Sequence, residues 1–146
     1  MMKLTEILGR FRQGKSTARS HIKNLIEIAA SDGNFDDVEY HLLQQIAKRN
    51  GISNGKLKEI HANPEHVEFE IPYDRQEKFH QMYDLVHMMV VDNEVHPEEM
   101  KLCNLFALRF GYPKHSVDEL ITTIRGNIEN GNGHNDTMKR IEWMLN

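Results

Sequence analysis

A stretch of eight residues occurs twice in this chain, sixty positions apart, and each copy lies between apolar segments. The first copy is 32–39 and the second is 92–99. A gapless alignment of residues 25–51 with 85–111 gives seven identical pairs in 27: Leu25/Leu85, Asp32/Asp92, Glu39/Glu99, Leu42/Leu102, Ala47/Ala107, Arg49/Arg109 and Gly51/Gly111. We interpret this as an internal duplication of one helix-turn-helix unit. With helical periodicity in the flanking segments, it predicts an all-α fold: a compact bundle of about seven helices with pseudo-twofold symmetry.

Each repeated stretch begins with an aspartate where a helix is expected to end. Asp32 and Asp92 would face the negative end of the helix dipole, an unfavourable contact of up to about 1 kcal/mol. Gly33 and Asn93 follow them, and both residue types readily take the left-handed conformation that closes a helix. The spacing therefore predicts a tight turn at each place, but it leaves the two aspartates without a local structural reason.

The second half of each stretch has the pattern of a helix start. Asp36 and His96 are at the expected N-cap positions, Pro97 is a favoured first-turn residue, and Glu39 and Glu99 are at the third helical position. Capping explains the two glutamates completely and Asp36 in part. We expect polar, exposed surroundings here, which would keep the carboxyl pKa values low.

The unexplained aspartates suggest a cation site. Asp32, Asn34 and Asp36 have the one-three-five spacing of a calcium loop, but Asp37 replaces the glycine at the sixth position and Leu43 replaces the glutamate at the twelfth. The alternative is structural: Asp32 and its counterpart in the second copy accept hydrogen bonds from backbone amides of the next helix.

The Ala29-Ala30-Ser31-Asp32-Gly33 segment between two apolar helices, with a second copy sixty residues later, resembles the tellurite-resistance TerB family and the TerB-like domain of some membrane-anchored DnaJ-type co-chaperones. The resemblance covers roughly residues 17–128. It implies a helical bundle, a stress-response role and a divalent cation (Ca, Mg, Mn or Zn) bound by acids from both copies. By position these ligands are Asp32, Asp36, Glu39, Asp92 and Glu99. Asn93 and His96 depart from the family pattern.

At 146 residues the chain is long enough for one domain with its own core. We divide it into a basic amphipathic arm (1–16), a first repeat (17–63), a connector (64–73), a second repeat (74–128) and a C-terminal helix (136–146). Within the connector, alternating apolar residues suggest a brief extended segment. In the second repeat, methionines at helical spacing and the single Cys103 are expected in the core.

Charge is unevenly distributed along the chain. Residues 1–23 carry six Lys and Arg against one Glu, a balance of +5, so the net charge of −4 leaves −9 on the rest. An acidic body argues against nucleic acid as a partner. The arm carries an apolar stripe, Leu4, Ile7, Leu8 and Phe11, that docks on the bundle or lies against a membrane. We expect a protein partner and a cytoplasmic location, with the inner membrane face as one setting.

Residues 9–16 fit the phosphate-loop pattern in every fixed position. Such a loop needs a preceding strand, whereas the residues before Gly9 have helical periodicity and no parallel strands are predicted elsewhere. We interpret Gly14-Lys15-Ser16 as a break between two helices, and nucleotide binding through 9–16 is kept only as an alternative function.

A second alternative metal site is suggested by His80, Asp84 and His87, which share one helix face and could hold zinc. The structural alternative is that they are solvated residues beside the apolar face. No serine lies in a nucleophile elbow and no catalytic triad can be assembled, so we expect neither an enzyme nor a small-molecule substrate. The competing functions are a metal-responsive interaction module and a metal-free scaffold or co-chaperone-like docking domain.

Overall fold

A computed structural model describes the backbone of residues 4–144 and the side chains of residues 16–143. In this part the chain forms seven α-helices and no strand, which confirms the all-α prediction. The helices are α1 (Leu4–Ala30), α2 (Asp37–Arg49), α3 (Asn54–Ala62), α4 (Arg75–Val90), α5 (Pro97–Arg109), α6 (Lys114–Glu129) and α7 (His134–Ile141). Short 3-10 turns follow α3 at Pro64–His66 and α7 at Glu142–Met144. The duplication itself stays a prediction.

The first helix is longer than the sequence predicts. α1 continues without interruption through Gly14-Lys15-Ser16, so the expected break is wrong and the basic arm is the first part of α1. An isolated glycine costs a helix only about 1 kcal/mol relative to alanine, which good helix formers on both sides can offset. The predicted apolar stripe of the arm, Leu4, Ile7, Leu8 and Phe11, lies outside the described side chains.

Two helices form the centre of the bundle. α4 packs against α1, α2, α5, α6 and α7, and α1 packs against α2, α3, α4 and α5. Met82, Met88, Met89 and Cys103 are fully buried between them and their neighbours, as predicted for core residues. Burial also raises the pKa of the Cys103 thiol, so this thiol stays protonated and unreactive. The apolar faces of the two central helices therefore fix how the turns at their C-terminal ends are placed.

The connector between α3 and α4 opens with the 3-10 turn and continues without strand pairing, and Val67, directly after that turn, has an extended backbone (φ −104°, ψ 123°). The connector is fastened to α1 by two side chains: the Ser20 hydroxyl accepts a hydrogen bond from the Glu70 amide (2.8 Å), and the Lys23 ammonium donates to the Val67 carbonyl (2.7 Å). Phe69 packs on Phe106 of α5 with ring centroids 6.2 Å apart. The alternating apolar residues thus cover the bundle instead of pairing in a sheet.

The C-terminal part departs only slightly from expectation. α7 begins at His134, two residues before the predicted start, and it buries Thr137 and Ile141 against the bundle. Trp143 in the following turn is 69% exposed. None of the helices in the described part of the chain has the length and apolar character needed to cross a bilayer.

Candidate functional site

The first acidic turn joins α1 to α2. Gly33 adopts φ 83°, and its amide donates to the Ala30 carbonyl at 3.0 Å, which closes α1. Asp32 accepts a hydrogen bond from the Asn34 amide at 2.9 Å, two residues later. The structural alternative for Asp32 is therefore partly right. Asp32 does accept a hydrogen bond from a backbone amide, but that amide lies in the turn and not in the next helix.

The second acidic turn, between α4 and α5, has the same local geometry. Asn93 adopts φ 65° and its amide donates to the Val90 carbonyl at 3.0 Å. Asp92 accepts from the Glu94 amide, also at 3.0 Å. Asparagine is one of the few non-glycine residues that tolerate this backbone region, which explains how the second turn keeps its shape without a glycine.

The helix starts after both turns follow the predicted capping pattern. The Asp36 carboxylate accepts from the Glu39 amide at 2.8 Å, and the Glu39 carboxyl accepts from the Asp36 amide at 3.2 Å. In the second copy the Glu99 carboxyl accepts from the His96 amide at 3.4 Å. Each glutamate is thus directed back toward the turn that precedes its helix.

The two turns meet in space and form one acidic corner, which we define as Asp32, Asp36, Glu39, Asp92, Glu94, His96 and Glu99. His96 joins the copies, with its Nε2 3.1 Å from Asp32 of the first turn and 3.9 Å from Asp92 and Glu99 of the second. Three sets of side chains each bring their ligand atoms within 4.8 Å of one another: Asp32, His96 and Glu99; Asp92, Glu94 and His96; Asp36, Glu39 and Asp92. All five predicted ligands take part.

Two residues of the acidic corner were missing from the predicted ligand set. His96 contributes a ring nitrogen and Glu94 a carboxylate oxygen, and the distance from His96 Nε2 to Glu94 Oε2 is 3.7 Å. The alignment of the two copies could have indicated His96, because it stands opposite Asp36, a predicted ligand. Glu94 stands opposite Asn34, which also carries a side-chain oxygen. The oxygens and the one imidazole suit a divalent cation at ligand distances of about 2.0–2.6 Å.

Two of the three glutamates of the acidic corner, Glu39 and Glu99, are buried, in contrast to the exposed surroundings expected from the sequence. Glu39 is 2% exposed and Glu99 is 1% exposed. Burial, together with the neighbouring carboxylates of both turns, raises the pKa of Glu39 to about 8 and that of Glu99 to about 7. The expectation of low carboxyl pKa values is therefore wrong for these two residues. Their pKa values rise because desolvation and like charge outweigh the capping hydrogen bonds.

The alternative zinc set, His80, Asp84 and His87, is not assembled in the described part of the chain. The two Asp84 oxygens are taken up by His21 Nε2 (2.8 Å), His134 Nε2 (2.9 Å) and the Arg49 guanidinium. Burial alone would raise the pKa of Asp84, but these hydrogen bonds and charges together lower it below its usual range. Asp84 is therefore an ionised centre that joins α1, α2, α4 and α7.

The phosphate-loop pattern at residues 9–16 lies inside α1. A phosphate loop binds its anion with backbone amides that are free of intrahelical hydrogen bonds, and amides in a helix interior are not free. This local structure removes the basis for nucleotide binding through residues 9–16.

No protein-family model, curated protein or solved structure matches this chain. The resemblance to the TerB family therefore continues to rest on the residues of the two turns.

Proposed function

We propose that this chain is a non-enzymatic, TerB-like stress-response module that binds a divalent cation at the acidic corner and docks a protein partner. The observation that carries the proposal is the convergence of five predicted acidic ligands from two turns that are sixty residues apart in sequence. Two of the five, Glu39 and Glu99, are buried. Buried acids with raised pKa values are frequent at functional sites, because proton transfer and metal binding depend on shifted pKa values.

A cation at this position would act on the joint between the two helix pairs. Binding displaces protons from Glu39 and Glu99 and removes the repulsion among the carboxylates of both turns. The ion then links α1 and α2 to α4 and α5, which fixes the angle between the pairs. A partner that recognises this fixed arrangement would bind more tightly in the presence of the cation.

The test is a set of thermal melts with calcium, magnesium, manganese or zinc and with a chelator. We expect at least one cation to raise the melting temperature of the wild type, and the combination of Asp32→Asn with Asp92→Asn to abolish the rise. Asp118→Asn, an exposed aspartate on α6, is the matched control and should respond as the wild type does. If none of the four ions changes the wild-type melt, the metal part of the proposal is wrong.

A metal-free docking domain is the second candidate, and the position of His96 favours it. Its imidazole, 3.1 Å from Asp32, can carry the compensating positive charge itself when protonated. On this hypothesis a partner would be captured equally well with and without chelator. His96→Gln would then weaken partner binding, whereas chelation would not.

A further inference from the structure

Two histidine rings face each other at the start of α7, away from the acidic corner. His80 on α4 and His134, the first residue of α7, bring their Nδ1 atoms to 3.1 Å, with ring centroids 5.0 Å apart. Asp84, which contacts His134, lies eight residues before Asp92 of the acidic corner. Eight residues span roughly 12 Å along a helix axis. This pair is therefore distinct from the proposed cation site.

The orientation of His134 is fixed by its neighbours. Its Nε2 lies 2.9 Å from Asp84, and a carboxylate can only accept, so Nε2 carries the hydrogen. In the neutral ring the lone pair is then on Nδ1, the atom that faces His80. The Tyr83 ring, with its centroid 4.1 Å from that of His134, packs against the imidazole. A histidine held by a carboxylate in this way is the usual arrangement of a metal-bound imidazole.

Asp84 is itself firmly placed. It is 2% exposed and is held by His21 from α1 and by Arg49 from α2, so it cannot rotate away from His134. His134 is 20% exposed at its side chain, which leaves the pair accessible from solvent. A rigid orienting residue with an accessible ligand atom is what a bound ion requires.

The distance between the two nitrogens fits a shared ion as well as a shared proton. Nitrogens bound to one ion at about 2.0–2.1 Å lie roughly 2.8–3.4 Å apart for bond angles between square and tetrahedral. A neutral His80 ring can offer its Nδ1, 3.1 Å from that of His134, as the second ligand atom. Imidazole nitrogen prefers copper, nickel and zinc over calcium and magnesium.

We propose that His80 and His134 form a two-imidazole site for a borderline divalent transition ion (Cu²⁺, Ni²⁺ or Zn²⁺), in which Asp84 orients His134 and water completes the coordination. The site joins α4 to α7, so an ion bound there would hold the C-terminal helix on the bundle.

Electron paramagnetic resonance of the full chain with one equivalent of Cu²⁺ tests the proposal, because the spectrum counts the coordinated nitrogens. We expect coupling to two imidazole nitrogens in the wild type and to no more than one in His80→Ala and in His134→Ala. His66→Ala removes a histidine that is 75% exposed and should keep the wild-type spectrum. The acidic corner offers only one imidazole, His96, so copper bound there gives a different count.

Two further measurements follow, and the first uses the wild type alone, so it is independent of any loosening of α7 in the variants. Imidazole nitrogen NMR of the wild type with Zn²⁺ should shift the Nδ1 signals of two histidines, and competition with a chromophoric chelator should show zinc affinity at least about tenfold weaker in Asp84→Asn. A wild-type copper spectrum with fewer than two nitrogens, or a two-nitrogen spectrum that survives His134→Ala, would overturn the proposal and leave an N–H···N hydrogen bond only.

Discussion

The molecule holds buried carboxyl groups in two places, and their surroundings shift the carboxyl pKa values in opposite directions. At Asp84 a fully buried carboxylate is met by Arg49 and two imidazoles, which lowers its pKa. At the acidic corner Glu39 and Glu99 are equally buried, but their neighbours are mostly other carboxylates, and their pKa values rise to about 8 and about 7. The groups share their chemistry and their burial, so the difference lies in the partners.

This difference shows which of the two places lacks a compensating charge. The charge of Asp84 is matched within the chain by partners from three other helices, so this carboxylate joins four elements. Within the acidic corner His96, 3.1 Å from Asp32, is the one basic side chain among six carboxyl groups. Buried carboxylates without a counter-charge destabilise the fold unless a ligand supplies the missing positive charge. A bound cation would supply that charge at the acidic corner.

The largest expected effect is from Asp84→Asn. Asn cannot carry the charge that His21, Arg49 and His134 surround, so we expect a loss of about 3 kcal/mol of unfolding free energy and a melting temperature about 10 °C lower. Thermal melts or urea titrations measure this. Asp32→Asn is the matched control in the acidic corner, and because it relieves repulsion we expect a change of no more than about 1 kcal/mol in either direction. Equal losses of unfolding free energy in both variants would mean that the surroundings of Asp84 and the acidic corner do not differ in how they compensate charge.

The next effect depends on pH and concerns Glu39→Gln combined with Glu99→Gln. A carboxyl whose folded-state pKa lies above its unfolded value contributes stability below the unfolded value, about 4.5, and that stability is lost as the pH rises through about 7 to 8. Glutamine cannot ionise and still fits the capping position. We therefore expect the variant to gain roughly 2 kcal/mol over the wild type near pH 9 and little near pH 5.

The measurement for this second prediction is the melting temperature of both proteins across that pH range, with chelator present. His80 and His87, whose pKa values are lowered by burial, titrate in both proteins and cancel in the difference. Parallel curves for the variant and the wild type would mean that Glu39 and Glu99 do not ionise differently on folding. The acidic corner would then be no different from an ordinary surface.

The sequence predicted the local parts of the acidic corner well. The capping interactions of Asp36 with Glu39, and the left-handed residues Gly33 and Asn93, depend on neighbours a few positions away, which the sequence displays directly. The burial of Glu39 could not be inferred in this way. The third position of a helix is exposed by default, and only the packing of the two turns against each other removes it from water.

The Asp84 centre was missed for a related reason. Its partners His21, Arg49 and His134 lie 63, 35 and 50 positions away and come from three other helices. No periodicity connects residues that meet through tertiary packing, so the sequence indicated only the face shared by His80, Asp84 and His87. The continuous α1 was missed because Gly14 weakens the helix without ending it.

The smallest expected effect is the change in stability with salt concentration, which differs between partly exposed and enclosed charges. Asp32 and Asp92 retain 15% and 18% side-chain exposure, so their mutual repulsion is open to screening by salt, whereas the Asp84 pairs are enclosed. Between about 0.01 M and 1 M salt the screening length falls from about 30 Å to about 3 Å. With chelator near pH 9, the wild type should gain up to about 1 kcal/mol relative to the double variant Asp32→Asn with Asp92→Asn, and Asp84→Asn should respond as the wild type does. If Asp84→Asn alone lost the salt response, the repulsion that salt screens would lie around Asp84 and not between Asp32 and Asp92. The acidic corner would then no longer be the part of the molecule that lacks a compensating charge.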